Sequence, residues 1–142
     1  MAVLKRDKYT QQTNKSYIFT DLINNLDVNP DTKDLYRNVN LNAIQQSLKN
    51  LIFTDRGERL YQPNVGSDIR KVLFENFTPQ TADMLREYIK STIELNEPRV
   101  KYEDSQIDVY EDQNAASISI FFSTIIQPGV TQTLTVLLTR VR

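Results

Sequence analysis

Leu41, Ile44, Leu48, Leu51 and Ile52 recur at helical spacing, with Asn, Gln, Ser and Lys filling most of the positions between them. That period puts the apolar side chains on one face, so a helix is expected from Leu41 to near Phe53, N-capped by Asn40 or Asn38. Gly57 then supplies a turn or a C-capping glycine. Leu60 and Tyr61 form a short extended piece, which Pro63 confines to a sheet edge or a loop. Gly66 allows a positive φ where the chain enters a short helix carrying Ile69, Val72, Leu73 and Phe74, with Ser67 or Asp68 as its cap. The strongest helical pattern follows. Thr78 is the expected N-cap and Pro79 the first helical residue. Ala82, Leu85, Ile89 and Ile93 form the buried stripe, with Met84 and Tyr88 beside it. Asp83 and Glu87 are spaced to pair with Arg86 and Lys90. Pro98 stops this helix at or before Glu97, because the residue preceding proline is driven toward extended geometry.

Beyond Pro98 the period falls to two. Ile107 and Val109 alternate with Asp108 and Tyr110, and a turn is expected at 112–114. Ala116, Ile118, Ile120, Phe122, Thr124 and Ile126 share one face of the next strand. Ser117, Ser119 and Ser123 lie on the other face, with Phe121 and Ile125 interrupting its polarity. The segment 127–130, with Pro128 and Gly129 in type II order, reads as the second turn. A last strand over 131–140 places Leu134, Val136 and Leu138 on one side. Short turns between three strands make an antiparallel meander. The expected fold class is α+β, with two to three helices on a C-terminal three-stranded meander and an extended N-terminal arm. Residues 1–40 are polar and turn-rich apart from the β-prone stretch 16–22, and are read as that arm. Residues 41–142 are read as a single domain.

Composition narrows the chemistry. The chain has 142 residues, no cysteine and no histidine, which leaves out disulfides, zinc-finger sites and Cys or His nucleophile–base pairs. The net charge is −1, and the one basic cluster is Lys5, Arg6 and Lys8, so no nucleic-acid partner is expected. No apolar run approaches the length of a membrane span, and the start lacks a secretory h-region; a soluble, intracellular protein is expected. Phosphate-loop, nucleophile-elbow and EF-hand patterns are missing from the sequence.

Two functional readings remain open. Carboxylates alone suffice for glycoside hydrolysis, and Glu58, Glu75 and Glu97 are the candidates because each lies at the end of an element. The structural reading rests on the final strand. Thr131, Thr133, Thr135, Leu137 and Thr139 lie along it, and an exposed sheet edge is a template for another chain's strand. Phe121, Ile125 and Leu137 either form a second apolar surface or lie beneath helices.

The residues 41–100 then bring a family into view. The helix over 43–59 with its Gly57-Glu58-Arg59, the Pro63 and Gly66 spacing, the Leu73-Phe74-Glu75 segment before the Thr-capped helix, and Glu97-Pro98-Arg99 stand in order. Together they resemble the baseplate wedge, or sheath-initiator, family of contractile phage tails, relatives of which serve in type VI secretion baseplates. The resemblance covers 16–142. It implies a structural protein without catalysis or cofactor, present in six copies per baseplate. Its implied partners are the helical core bundle of larger wedge proteins and the tail sheath protein, with tube and other wedge subunits as further candidates. The implied location is the baseplate of a virion or tail-like particle assembled in the host cytoplasm. Glu97, Pro98 and Arg99 would contact the core bundle, with Pro98 as the spacer that holds the two charges apart in a preorganised clamp. The final strand would accept strands of the first sheath ring. The family has also carried a lysozyme-like label, and a muralytic hydrolase using paired carboxylates is the alternative.

Overall fold

The structure, a computed structural model, describes residues 18–73, 79–110 and 115–139. Its elements run β1 (Thr20–Leu22), β2 (Arg37–Val39), α1 (Leu41–Phe53), α2 (Ile69–Leu73), α3 (Pro79–Asn96), β3 (Val100–Tyr110), β4 (Ala115–Thr124) and β5 (Gln127–Thr139). The fold is the α+β arrangement expected, with an antiparallel sheet in the order β3-β4-β5. Ile118, Ile120 and Phe122 of β4 are fully buried, together with Ile44, Leu48 and Ile52 of α1 and Leu85, Ile89 and Ile93 of α3. One continuous core therefore lies between one face of the sheet and the helices. α3 packs along β3, and α1 and α2 pack against α3.

The other sheet face stays open. Leu137 is 60% exposed and Thr133, Thr135 and Thr139 are exposed, while Phe121 is half-buried. The small hydroxyls on this face satisfy one another in places, as between Ser119 and Thr135 at 3.2 Å. The helices thus cover one face, and the second surface is available.

The β4–β5 connection departs from the expectation. The chain reverses at Ile125-Ile126, with Thr124 paired to Gln127, so β4 ends two residues early and Ile125 sits in the turn, 66% exposed. Pro128 and Gly129 belong to β5 instead. The register slips there, with Phe122 opposite Gln132 and Thr124 opposite Gln127. Proline has no N–H for the ladder, and Gly129 takes φ +85°; both suit a bulge as well as a turn.

The polar segment before α1 holds a small hairpin. β1 and β2 pair antiparallel, with an inner bridge between Val28 and Leu35. Asn40 stands at the head of α1 with φ +48° and gives no side-chain cap. Its Oδ1 instead accepts the N–H of Ile18 at 2.9 Å, and its own N–H donates to Phe19 O at 2.8 Å. Gly57 forms a turn rather than a C-cap, since Thr54 closes α1 with its N–H and Oγ1 both on Asn50 O. Leu60 and Tyr61 lie in a turn, 90% and 97% exposed, not in an extended piece. Ser67 does not cap α2; its buried Oγ donates to Ile52 O at 2.6 Å and its N–H to Thr54 O at 2.8 Å. The Asp68 carboxylate pairs with Lys71 and Arg56. α3 begins at Pro79 as expected and carries the Asp83–Arg86 pair at 2.7 Å. Phe74, Glu75, the Thr78 cap and the 112–114 turn lie outside the described residues.

Candidate functional site: a braced salt bridge and an open sheet edge

α3 ends at Asn96, and the Glu97 N–H still reaches back to Ile93 O at 2.9 Å. Pro98 then turns the chain, and Val100 opens β3. This tight reversal brings the side chains of Glu97 and Arg99 together. Arg99 Nε donates to Glu97 Oε1 at 2.6 Å and Nη2 donates to Glu97 Oε2 at 2.7 Å. The expectation that Pro98 keeps them apart is corrected: both N–H groups of the planar fork close on the carboxylate across the proline. From α1, Ser47 Oγ donates to Glu97 Oε2 at 2.7 Å. The Glu97 side chain is 5% exposed and that of Arg99 is 29% exposed, so Glu97 is the inner member and Arg99 the outer one.

The electrostatics follow from this geometry. Burial alone pushes the Glu97 carboxyl upward, but the Arg99 fork and the Ser47 hydroxyl outweigh it and hold the group below the usual carboxylate range. Glu97 in turn raises the proton affinity of Arg99, which stays charged. A general acid for glycoside cleavage needs a raised pKa, so Glu97 is ill suited to that role. Glu58 Oε2 accepts the Asp55 N–H at 3.0 Å, closing a turn. Glu75 lies outside the described residues. No cluster of metal-ligating side chains occurs among the described residues.

Sequence reasoning missed Ser47 and Phe19. The Phe19 ring lies 5.2 Å from the Arg99 guanidinium carbon. Ser47 directly precedes Leu48 of the buried stripe, which was the one available signal; its partner is fifty residues away. Beside the pair, Asp21, Ser47, Arg59, Leu95 and Asn96 are among the residues lining an open groove of about 490 Å³. Ser47→Ala is expected to cost about 1.5 kcal/mol at neutral pH, the lower end for a hydrogen bond to a charged group. Urea unfolding checks this, and the loss should shrink as pH falls through the Glu97 pKa, because the bond serves the carboxylate.

At the far side, Thr131, Thr133, Thr135, Leu137 and Thr139 lie along β5, which among the described residues pairs with β4 on one side only. β5 has thirteen residues and none is charged, whereas β3, the opposite edge, carries Lys101, Glu103, Asp104 and Asp108. Charge on an edge strand discourages pairing with foreign strands; only β5 lacks that guard.

The family model described as "Baseplate wedge protein gp25" (GPW_gp25) matches residues 39–128. The chain belongs to this family and is a baseplate wedge protein of contractile tail systems. Among relatives, the baseplate wedge protein gp25 of Enterobacteria phage T4 is 38% identical over 108 residues, covering 72% of this chain and 81% of that protein. Among solved structures, the cryo-EM baseplate of the anti-feeding prophage, six-fold symmetrised, contains a chain with TM-score 0.61 and 20% identity, covering 84% of this chain and 83% of that one. A Geobacter sulfurreducens protein with a provisional tail-lysozyme name matches with TM-score 0.62 and 21% identity, covering 70% of this chain and 89% of that one. At such identities these two likenesses are of fold alone.

Proposed function

We propose that this chain is a non-catalytic scaffold that docks on the wedge core bundle through Glu97-Pro98-Arg99 and offers β5 to the first ring of sheath subunits. The observation that carries the reading is the contrast between its two sheet edges: β5 is long, uncharged and paired on one side, while β3 is charged. An edge of that kind binds an incoming strand by β-augmentation, where main-chain hydrogen bonds supply affinity and alternate side chains set register. The braced pair supports the docking half. Pro98 fixes the backbone and the fork fixes the side chains, so little conformational entropy remains to be lost on binding. Six copies per baseplate fit the six-fold symmetry of the related particle.

The experiment is edge blunting. Thr133→Lys combined with Leu137→Lys puts two cations on the exposed face of β5 without touching the core. The variant is expected to fold within about 0.5 kcal/mol of wild type, as exposed substitutions do. It should enter baseplates in normal amount and leave them without a sheath. Normal sheath on baseplates carrying the variant would sink the strand-acceptor half. Purified wild-type chain that clears peptidoglycan would sink the non-catalytic half.

A further inference from the structure

We propose that Phe19 and Asp21 are positioning residues of the docking site, holding the Arg99 guanidinium so that its uncommitted N–H groups face an oxygen acceptor on the partner. The proposal rests on the docking reading of Glu97 and Arg99. A guanidinium has five N–H donors. Two are engaged by Glu97, and no hydrogen bond uses the other three among the described residues. The Phe19 ring sits against the guanidinium at 5.2 Å, within cation–π range. The Asp21 carboxylate lies near enough to favour the charged form of Arg99, and lines the same groove as Ser47 and Asn96. Glu97 and Phe19 restrain the guanidinium by contact, while Asp21, whose Oδ1 accepts the Leu22 N–H at 2.8 Å, adds negative charge nearby.

The segment that carries Phe19 and Asp21 is itself tied down by polar side chains of and next to α1. Ile18 and Phe19 N–H groups donate to Asn40 Oδ1. Gln46 Nε2 donates to Leu22 O at 2.7 Å and its Oε1 accepts the Asn24 N–H at 3.3 Å. Asn24 and Asn50 exchange side-chain hydrogen bonds at 2.8 and 3.1 Å. A strap serving only to bury apolar surface would turn its large side chains inward. Here Ile18 is 67% exposed and Leu22 46% exposed, while Phe19 packs inward beside Arg99. The amide ladder therefore sets the position of one ring against the cation and of one carboxylate in its neighbourhood.

The test is a competition between full-length chains. Wild-type and variant chains are expressed in equal amount, and their ratio is measured by mass spectrometry in purified particles. Phe19→Leu keeps apolar bulk and loses the ring face; it is expected to be depleted about five- to thirty-fold, the ratio that corresponds to a lost cation–π contact. Phe19→Tyr keeps the ring and should enter on a par with wild type. Asp21→Asn should be depleted about two- to five-fold. Equal entry of Phe19→Leu and Phe19→Tyr overturns the proposal, and so does equal depletion of both. Entry of Asp21→Asn at wild-type level removes Asp21 from it. The docking reading is tested separately with Glu97→Gln/Arg99→Met, which removes both charges together. If that chain enters particles normally, docking through this pair is wrong, whatever the Phe19 result.

Discussion

Gly66→Ala shifts the urea-unfolding midpoint of the purified chain sharply downward, by the equivalent of roughly 2–5 kcal/mol. Two costs add. Gly66 has φ +129°, a conformation that L side chains rarely adopt. A Cβ at this position would also stand 2.6 Å from Thr54 O and 3.0 Å from Asp55 O, both backbone atoms that cannot swing aside. The crowding has a structural cause. Ser67, the next residue, donates its N–H to Thr54 O and its Oγ to Ile52 O, which draws the loop onto the end of α1. Asp55 and Ser67 form a parallel bridge at the same place. Gly57→Ala is the control. Gly57 also has positive φ, at +89°, but nothing lies within 4 Å of its added Cβ. It should cost only about 1–2 kcal/mol, the backbone part alone. A Gly66 effect no larger than the Gly57 effect would remove the close-approach account. A domain with total stability of about 5–15 kcal/mol feels the difference plainly.

Arg99→Ala lowers stability at neutral pH by roughly 2–4 kcal/mol, somewhat under the ~3–5 of a fully buried pair. The discount reflects the outer position of Arg99, whose side chain is 29% exposed. The loss arises mainly at the inner member: the Glu97 carboxylate, 5% exposed, is left with the Ser47 hydroxyl and the backbone N–H of residue 99. Its pH dependence identifies it. In wild type the Glu97 pKa is held below its unfolded value, so its contribution is present above the unfolded pKa and is lost as pH falls through the folded pKa. In Arg99→Ala, burial is opposed only by the Ser47 hydroxyl and the backbone N–H of residue 99, and the folded pKa moves up from its wild-type position. The gain in stability that wild type shows between acid and neutral pH is then lost. Urea midpoints between pH 3 and 7 for both chains check this. Parallel curves would show that Arg99 does not hold the carboxylate ionised. Glu97→Gln/Arg99→Met removes the lone buried charge and should recover most of the loss, which is why it serves better than Arg99→Ala for testing assembly.

The helices were legible because their patterns were strong and their ends were marked. Leu41 to Ile52 kept one face over three turns, and Pro98 fixed the end of α3 within a residue. The sheet was legible from alternation along β4, where every second residue from Ala116 to Phe122 is buried. The Pro128-Gly129 signal misled because the same two residues suit a turn and a bulge. The choice between them was made by pairing: Thr124 against Gln127 closes a tighter hairpin at Ile125-Ile126. Asn40 does hold the N-cap position of α1, but its side-chain oxygen serves a second segment passing beside it instead of the helix N–H groups. The site was legible in part. Glu97 and Arg99 stood out, but their closure on each other depends on the chain reversal at Pro98. Ser47 and Phe19 reach the pair from fifty and eighty residues away in sequence, and no local pattern encodes such a meeting.

The fork between Glu97 and Arg99 is closed within the chain itself, and under the docking proposal that shapes how the chain finds its place. Two opposite charges in contact present a dipole, whose field dies away faster with distance than that of either ion alone. Salt at physiological strength, with a Debye length of about 8 Å, removes most of what remains. On the proposed docking reading, long-range attraction contributes little to encounter at this corner, and selection between correct and incorrect neighbours is exercised at van der Waals range. A corner of this kind tolerates swings in ionic strength during particle assembly and discriminates by shape and hydrogen-bond geometry once surfaces touch.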